Sequence, residues 1–192
     1  MTLWLVRHAL PLIDKGICYG QLDVKADLAE TQKSAEVLKN VLPRGTCILT
    51  SPLQRCELLA HVFIGSQPDL TVKKDPKLQE MSFGQWEGRA WADIDKAELD
   101  AWTDDFASYR AGGTGESVDQ FMTRVAAAFD AMDPSKDALW VTHAGVIRAA
   151  TLIARGIRHI SRADEWPTHA PAYGQWCKLT LPTQRNHHGH QP

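Results

Sequence analysis

Apolar residues along the chain fall into two patterns. Three short runs, Leu3-Trp4-Leu5-Val6, Cys47-Ile48-Leu49 and Ala138-Leu139-Trp140-Val141, are apolar without alternation. Runs of that length fit central strands buried on both faces. Elsewhere the apolar positions recur near helical spacing. Leu28, Ala35, Leu38, Val41 and Leu42 predict a helix over 28–42 that stops before Pro43-Arg44-Gly45. Ser51-Pro52-Leu53-Gln54 reads as an N-cap Ser, a Pro in the first helical position and a Gln that could close a capping box, opening a helix to about Phe63. The same Ser-x-x-Gln spacing at Ser117 to Gln120 opens a helix to about Met132, and another is expected from Val146 to Ala154. Gln175 to Leu181 reads as a last strand. Strand followed by helix, repeated, is the rhythm of an open α/β fold with a largely parallel sheet.

The chain has 192 residues, 44% of them apolar. At that length one compact domain is expected, and roughly 70% of the unfolded surface can be buried. We place that domain at 1–182, with a cap-like excursion over 84–116 and a polar tail over 183–192. The excursion carries Trp86, Trp91 and Trp102 among many acids. A formal charge of −2 and no run of Lys or Arg give no basic field for nucleic acid. Four apolar residues before Arg7 are too few for a signal peptide or a membrane span, so a cytoplasmic protein is expected. Cys18, Cys47, Cys56 and Cys177 lack metal or disulfide spacing and read as reduced, mostly buried thiols. Asn186-His187-His188-Gly189-His190 could chelate a metal, but a terminal cluster of this kind is expected to be a solvated tail.

In an open α/β sheet, ligands bind beyond the carboxyl ends of the strands. The residues that end the three runs are Arg7-His8, Ser51 to Arg55 and Thr142-His143. Two imidazoles and two guanidiniums on one edge suit a phosphate dianion, because Arg offers a planar fork of donors and His can donate or attack. Glu80 lies among apolar and aromatic neighbours, where desolvation favours the protonated carboxyl that a general acid needs. Glu87 reads as an exposed loop residue, and His61, His159 and His169 as structural or exposed.

Leu5-Val6-Arg7-His8, Thr50-Ser51-Pro52-Leu53-Gln54-Arg55, Glu80 with Phe83-Gly84-Gln85-Trp86-Glu87-Gly88, Gly115-Glu116-Ser117 and Thr142-His143-Ala144-Gly145-Val146-Ile147-Arg148 occur in this order. Together they resemble the motif set of the histidine phosphatase superfamily, which includes the phosphoglycerate mutases. The resemblance implies a three-layer α/β/α, phosphoglycerate mutase-like fold and a phosphomonoesterase working through a phosphohistidine. It implies His8 as nucleophile, Arg7, Arg55 and His143 on the phosphate oxygens, Glu80 as proton donor, and no metal or other cofactor. Where the family has a phosphate-contacting Asn, this chain has Asp14, or supplies the contact elsewhere. Within the family, Arg-His-x-x-Pro, Gly16-Ile17-Cys18-Tyr19-Gly20, Trp86-Glu87-Gly88-Arg89 and Gly112-Gly113-Thr114-Gly115-Glu116-Ser117 look like the alpha-ribazole phosphatases of cobalamin biosynthesis. The expected partner is thus a small phosphate ester with a flat base. Trp86, Trp91, Trp102 and Tyr109 would supply stacking faces, and the acids Asp93, Asp95, Glu98, Asp100, Asp104 and Asp105 would repel a second anionic group. A phosphoglycerate mutase, a broad sugar-phosphate phosphatase and a non-catalytic phosphate-binding module are the alternatives, and the retention of His8, Glu80 and His143 speaks against the last.

Overall fold

The computed structural model describes residues 1–65 and 71–182. The strands are β1 (Thr2–Arg7), β2 (Cys47–Thr50), β3 (Val72–Lys74), β4 (Ala138–Thr142) and β5 (Trp176–Thr180). The helices are α1 (Leu28–Val41), α2 (Gln54–Ile64), α3 (Lys96–Asp104), α4 (Val118–Asp130) and α5 (Ala144–Ala154). The strands form one sheet in the order β3-β2-β4-β1-β5, parallel except for β5, which runs antiparallel beside β1.

The absence of alternation in β1 and β4 has a direct cause. Trp4, Val6, Leu139 and Val141 pack with Ala35 and Leu38 of α1 and with Leu59 and Phe63 of α2. Their neighbours Leu3, Leu5 and Trp140 belong to a second core with Phe121 and Val125 of α4 and Val146 and Ala150 of α5. Successive side chains of one strand therefore meet different helical layers, and both sets must be apolar. This is the expected mixed α/β fold. The run at 47–49 fits less well: Cys47 is exposed and Leu49 half-buried. Among the described residues, β2 is flanked on its outer side by the three-residue edge strand β3, whose Val72-Lys73-Lys74 offers no apolar run and was not legible.

Helix α4 starts as expected. Ser117 Oγ accepts from the Gln120 N–H (3.2 Å), and Gln120 Oε1 accepts from the Ser117 N–H (3.0 Å), a complete capping box. Helix α2 does not. It begins at Gln54 with Leu53 at the cap, so Pro52 lies outside it and the box between Ser51 and Gln54 is not made. The Gln54 N–H is instead received by Asp23 Oδ1 (2.8 Å), and the Gln54 amide donates to the Asp23 carbonyl. Ser51 is thereby left for another task. All four cysteines are free, but only Cys18 and Cys56 are buried. The excursion is partly helical, made of short turns at Gly84–Trp86 and Trp91–Asp93 followed by α3. The histidine-rich cluster at 186–190 lies outside the described residues.

Candidate active site

Arg7 at the end of β1 lies in register with Thr142 at the end of β4. The chain therefore leaves the sheet twice at the same level, and each exit is a histidine. His8 N–H donates to the Thr142 carbonyl (3.0 Å), and the two imidazole centroids are 5.2 Å apart. Both rings are buried, at 2% and 1% exposure for His8 and His143. On the other side of β4, the Ser51 N–H donates to the Val141 carbonyl (3.0 Å), and Ser51 Oγ shares a hydrogen bond with His143 Nε2 (2.9 Å).

Arg55, in the first turn of α2, is wholly buried. Its Nη1 and Nη2 donate to the carbonyls of Leu22 (2.9 Å) and Gly20 (2.6 Å). The Arg7 guanidinium lies 3.8 Å from the Tyr173 ring centroid and donates to the Pro171 carbonyl (3.2 Å). In both arginines Nε is buried without a hydrogen-bond partner among the described residues. The structure thus brings together His8, His143, Arg7 and Arg55 as the sequence predicts.

The electrostatics follow from this crowding. Burial, then the charges of Arg55 and Arg7, push the His8 imidazolium down to about pH 3, although a hydrogen bond to the Ala9 carbonyl opposes them. His143 is lowered by burial, Arg55 and His8. Both rings are therefore neutral at physiological pH. A histidine whose folded pKa is depressed contributes stability that is complete above its unfolded pKa, near 6.5, and is lost as pH falls towards the folded value. For His8 the loss reaches about 2 kcal/mol at pH 5. Urea unfolding in phosphate-free buffer should show wild type losing about that much more stability than His8→Gln between pH 7 and pH 5. Equal losses would mean that His8 titrates normally.

Glu80 reaches the same edge from the loop after β3. The Gly145 N–H, in the first turn of α5, donates to Glu80 Oε2 (3.0 Å), and the Met81 N–H donates to Oε1 (3.0 Å). His143 is the residue before α5, so one helix start holds both groups. A β-carbon at position 145 would lie 2.2 Å from Glu80 Oε1, which makes glycine a condition of this approach. Behind the loop, Arg124 pairs with both carboxylate oxygens of Glu116 (2.7 Å each) and donates to the carbonyls of Lys77, Gln79 and Glu80. Glu116 also receives the Ser82 N–H (2.9 Å). Glu87 is not a free loop carboxylate: its Oε1 takes the N–H groups of Gln21 and Phe83 (2.9 Å each) and ties the loop before α1 to the Glu80 loop.

Sequence reasoning missed Tyr173, Tyr19 and the bond from Ser51 to His143. The Tyr173 and Tyr19 hydroxyls meet at 3.0 Å, above Arg7 and Arg55 respectively. Tyr173 is positioned by Gly174, whose N–H donates to the carbonyls of Arg7 (3.2 Å) and His8 (3.0 Å) at a φ of +71°. A β-carbon there would also lie 2.0 Å from Ser34 Oγ. No apolar pattern or motif marks Tyr173, whereas Ser51 already stood in a quoted motif and only its partner was unreadable. Asp14 is exposed, its carbonyl accepting from the Ile17 N–H (3.4 Å). His159 pairs with exposed Asp119 away from these groups.

Beside Glu80 opens a cavity of about 300 Å³. Its walls include Met81, Phe83, Trp102, Phe106, Phe121 and Trp166, with Glu80, Gly145 and Arg148 among the other lining residues. Two expectations are corrected here. Of the aromatics proposed to stack, Trp102 alone lines this cavity; Trp86 is fully buried with its Nε1 donating to Glu98 Oε2 (2.7 Å). None of the six acids lines it either. Asp95 caps α3 and Asp100 pairs with Lys96, because those carboxylates serve the excursion's own helix.

The model of the histidine phosphatase superfamily (branch 1) matches residues 3–187. The chain belongs to this family. It is accordingly a phosphatase. The Escherichia coli adenosylcobalamin/alpha-ribazole phosphatase is 30% identical over 167 residues, 81% of this chain and 78% of that protein. A Hydrogenobacter thermophilus protein provisionally named phosphoserine phosphatase 2 is 27% identical over 164 residues, covering 81% and 79% of the two chains. Among solved structures, TTHB049 of Thermus thermophilus superposes on this histidine phosphatase with a TM-score of 0.71 at 27% identity over 95% of each chain. The alpha-ribazole phosphatase of Shigella flexneri shares the fold, with a TM-score of 0.79 at 24% identity over 95% of this chain and 91% of that one. Among the described residues no helix is long and apolar enough to cross a membrane.

Proposed function

We propose that this histidine phosphatase hydrolyses small phosphate monoesters through a phosphohistidine formed on His8 Nε2. One observation carries the reading. His8 Nδ1 lies 2.7 Å from the Ala9 carbonyl, which can only accept, so Nδ1 holds the proton and Nε2 keeps its lone pair in a ring that burial and two guanidiniums hold neutral. Nε2 attacks phosphorus as the bond to the ester oxygen breaks. Arg7, Arg55 and His143 stabilise the charge spread over the equatorial oxygens, and Glu80 gives its proton to the departing oxygen. The carboxylate so formed takes a proton from water, whose oxygen attacks the phosphohistidine and returns His8 and inorganic phosphate.

Holding Glu80 in place is then worth a measurable rate. Gly145→Ala is expected to displace its carboxylate and lower kcat on an alkyl phosphate by about 10²-fold, with the circular dichroism spectrum unchanged. Wild-type turnover in the variant would show that the contact between Gly145 and Glu80 has no part in catalysis.

For the substrate we infer alpha-ribazole 5′-phosphate, in the assembly of the cobalamin nucleotide loop in the cytoplasm. The names of the Escherichia coli and Salmonella typhimurium relatives support this, as does an aromatic cavity beside the leaving group's proton donor. The kcat/KM for alpha-ribazole 5′-phosphate is expected to exceed those for 3-phosphoglycerate and phosphoserine by at least about 10²-fold. A ratio near one, or preference for either acid, would overturn the substrate while leaving the phosphatase in place.

A further inference from the structure

We propose that Ser51 is a positioning residue of the phosphate site: its hydroxyl donates to His143 Nε2 and thereby keeps the imidazole proton on Nδ1, where it can be given to a phosphate oxygen. The inference rests on the reading of His143 as a phosphate ligand, and it names the group that makes this ligand a donor. A neutral imidazole holds a single proton, so one ring nitrogen donates and the other presents a bare lone pair. A lone pair turned towards a dianion repels it. Because burial, Arg55 and His8 all oppose a second proton on His143, the choice of tautomer decides whether the ring attracts phosphate.

The surroundings of Ser51 fix which way its hydroxyl points. The Ser51 N–H is spent on the Val141 carbonyl (3.0 Å), which anchors the residue against the end of β4. Its side chain is wholly buried, so the hydroxyl must find its partners within the protein. The Leu53 N–H donates to Oγ (3.3 Å) and occupies one lone pair. The hydroxyl proton then needs an acceptor. Cys56 Sγ lies 3.5 Å from His143 Nε2, but its own proton goes to the Thr142 carbonyl (3.5 Å) and a thiol sulfur accepts weakly. Among the described residues, His143 Nε2 at 2.9 Å is the nitrogen or oxygen partner that can take this proton. The opposite arrangement, with Nε2–H donating to Oγ, leaves a buried hydroxyl proton with nothing better than sulfur. Nδ1 meets no nitrogen or oxygen partner among the described residues, only the Cys56 sulfur at 3.9 Å. A proton held there is available to a ligand, and Ser51 makes a donor of a ring that cannot be charged.

Long-range proton–nitrogen correlation spectra of protein carrying isotope-labelled histidine report the tautomer directly, with the His143 signals identified by their loss in His143→Gln. Wild type with inorganic phosphate bound is expected to show His143 protonated on Nδ1 and bare on Nε2. In Ser51→Ala most of the ring population should move its proton to Nε2, and the Kd for inorganic phosphate, measured by calorimetry, should rise about tenfold. Ser51→Thr retains the hydroxyl and should keep the wild-type tautomer and an affinity within about threefold of wild type. A residue that served only the packing of this edge would leave the tautomer where it was. Protonation of Nε2 in phosphate-bound wild type overturns the proposal without recourse to any variant, and so does a folded Ser51→Ala protein that keeps the proton on Nδ1; either result leaves the phosphate site intact. Failure of wild type to bind inorganic phosphate overturns the phosphate-site reading itself, and this proposal with it.

Discussion

Replacing His8 by Asn is expected to lower kcat by about 10⁴-fold or more, whichever ester is used. The amide has no basic lone pair to attack phosphorus, so no covalent intermediate can form. Phosphate affinity should fall far less, because Arg7, Arg55 and His143 remain on the same edge and Arg55 is held by the carbonyls of Gly20 and Leu22 rather than by His8. Acid quenching during turnover should trap an acid-labile phosphoprotein in wild type and none in the variant. Labelling of His8→Asn at the wild-type level would place the nucleophile elsewhere.

Glu80→Gln should give the second largest effect, and one that depends on the leaving group. An alkyl ester, whose alkoxide leaves poorly, should slow by about 10² to 10⁴-fold; p-nitrophenyl phosphate, whose phenolate needs almost no proton, should slow by less than about tenfold. The difference matters more than either number, since a carboxylate that merely shaped the pocket would slow both esters alike. Gln can accept only one of the two N–H groups that Glu80 now receives from Gly145 and Met81, so the fold of the variant should be checked by its urea midpoint.

The parts of the site that could be read from the chain are those attached to regular elements. His8 and His143 end apolar runs that fit interior strands, and Arg55 follows the run at 47–49 by a fixed, short step. Their convergence is a consequence of strand register and needs no tertiary detail. Glu80 was reached through a motif, because the edge strand before it carries one apolar residue and leaves no pattern. Tyr173 was beyond reach: it belongs to an irregular segment, and its place over Arg7 depends on Gly174 bonding the β1 exit from the far end of the sequence. The same limit misled the reading of the excursion. Tryptophans at close spacing look alike in a sequence whether they face solvent, a ligand or each other, and here Trp86 turns into the core while Trp166, from outside the excursion, forms part of the cavity. The capping error at Ser51 is instructive in another way. A helix start and an active-site contact ask for the same residue type, and in this chain the imidazole of His143 takes the hydroxyl.

The position of β1 in the sheet sets the timetable by which a newly made chain becomes an enzyme. Both neighbours of β1 arrive late: β4 begins at Ala138 and β5 at Trp176, and the pairing extends to the bond between Leu181 N–H and the Met1 carbonyl. At ribosomal speeds of about 5 to 20 residues per second, Leu3-Trp4-Leu5-Val6 waits roughly 10 to 30 s for its second partner. Until β4 emerges an apolar strand with two open edges is available to any other unfinished chain, and one edge stays open until β5 follows. β1 precedes both of its sheet neighbours in the chain and is therefore among the last strands to be enclosed.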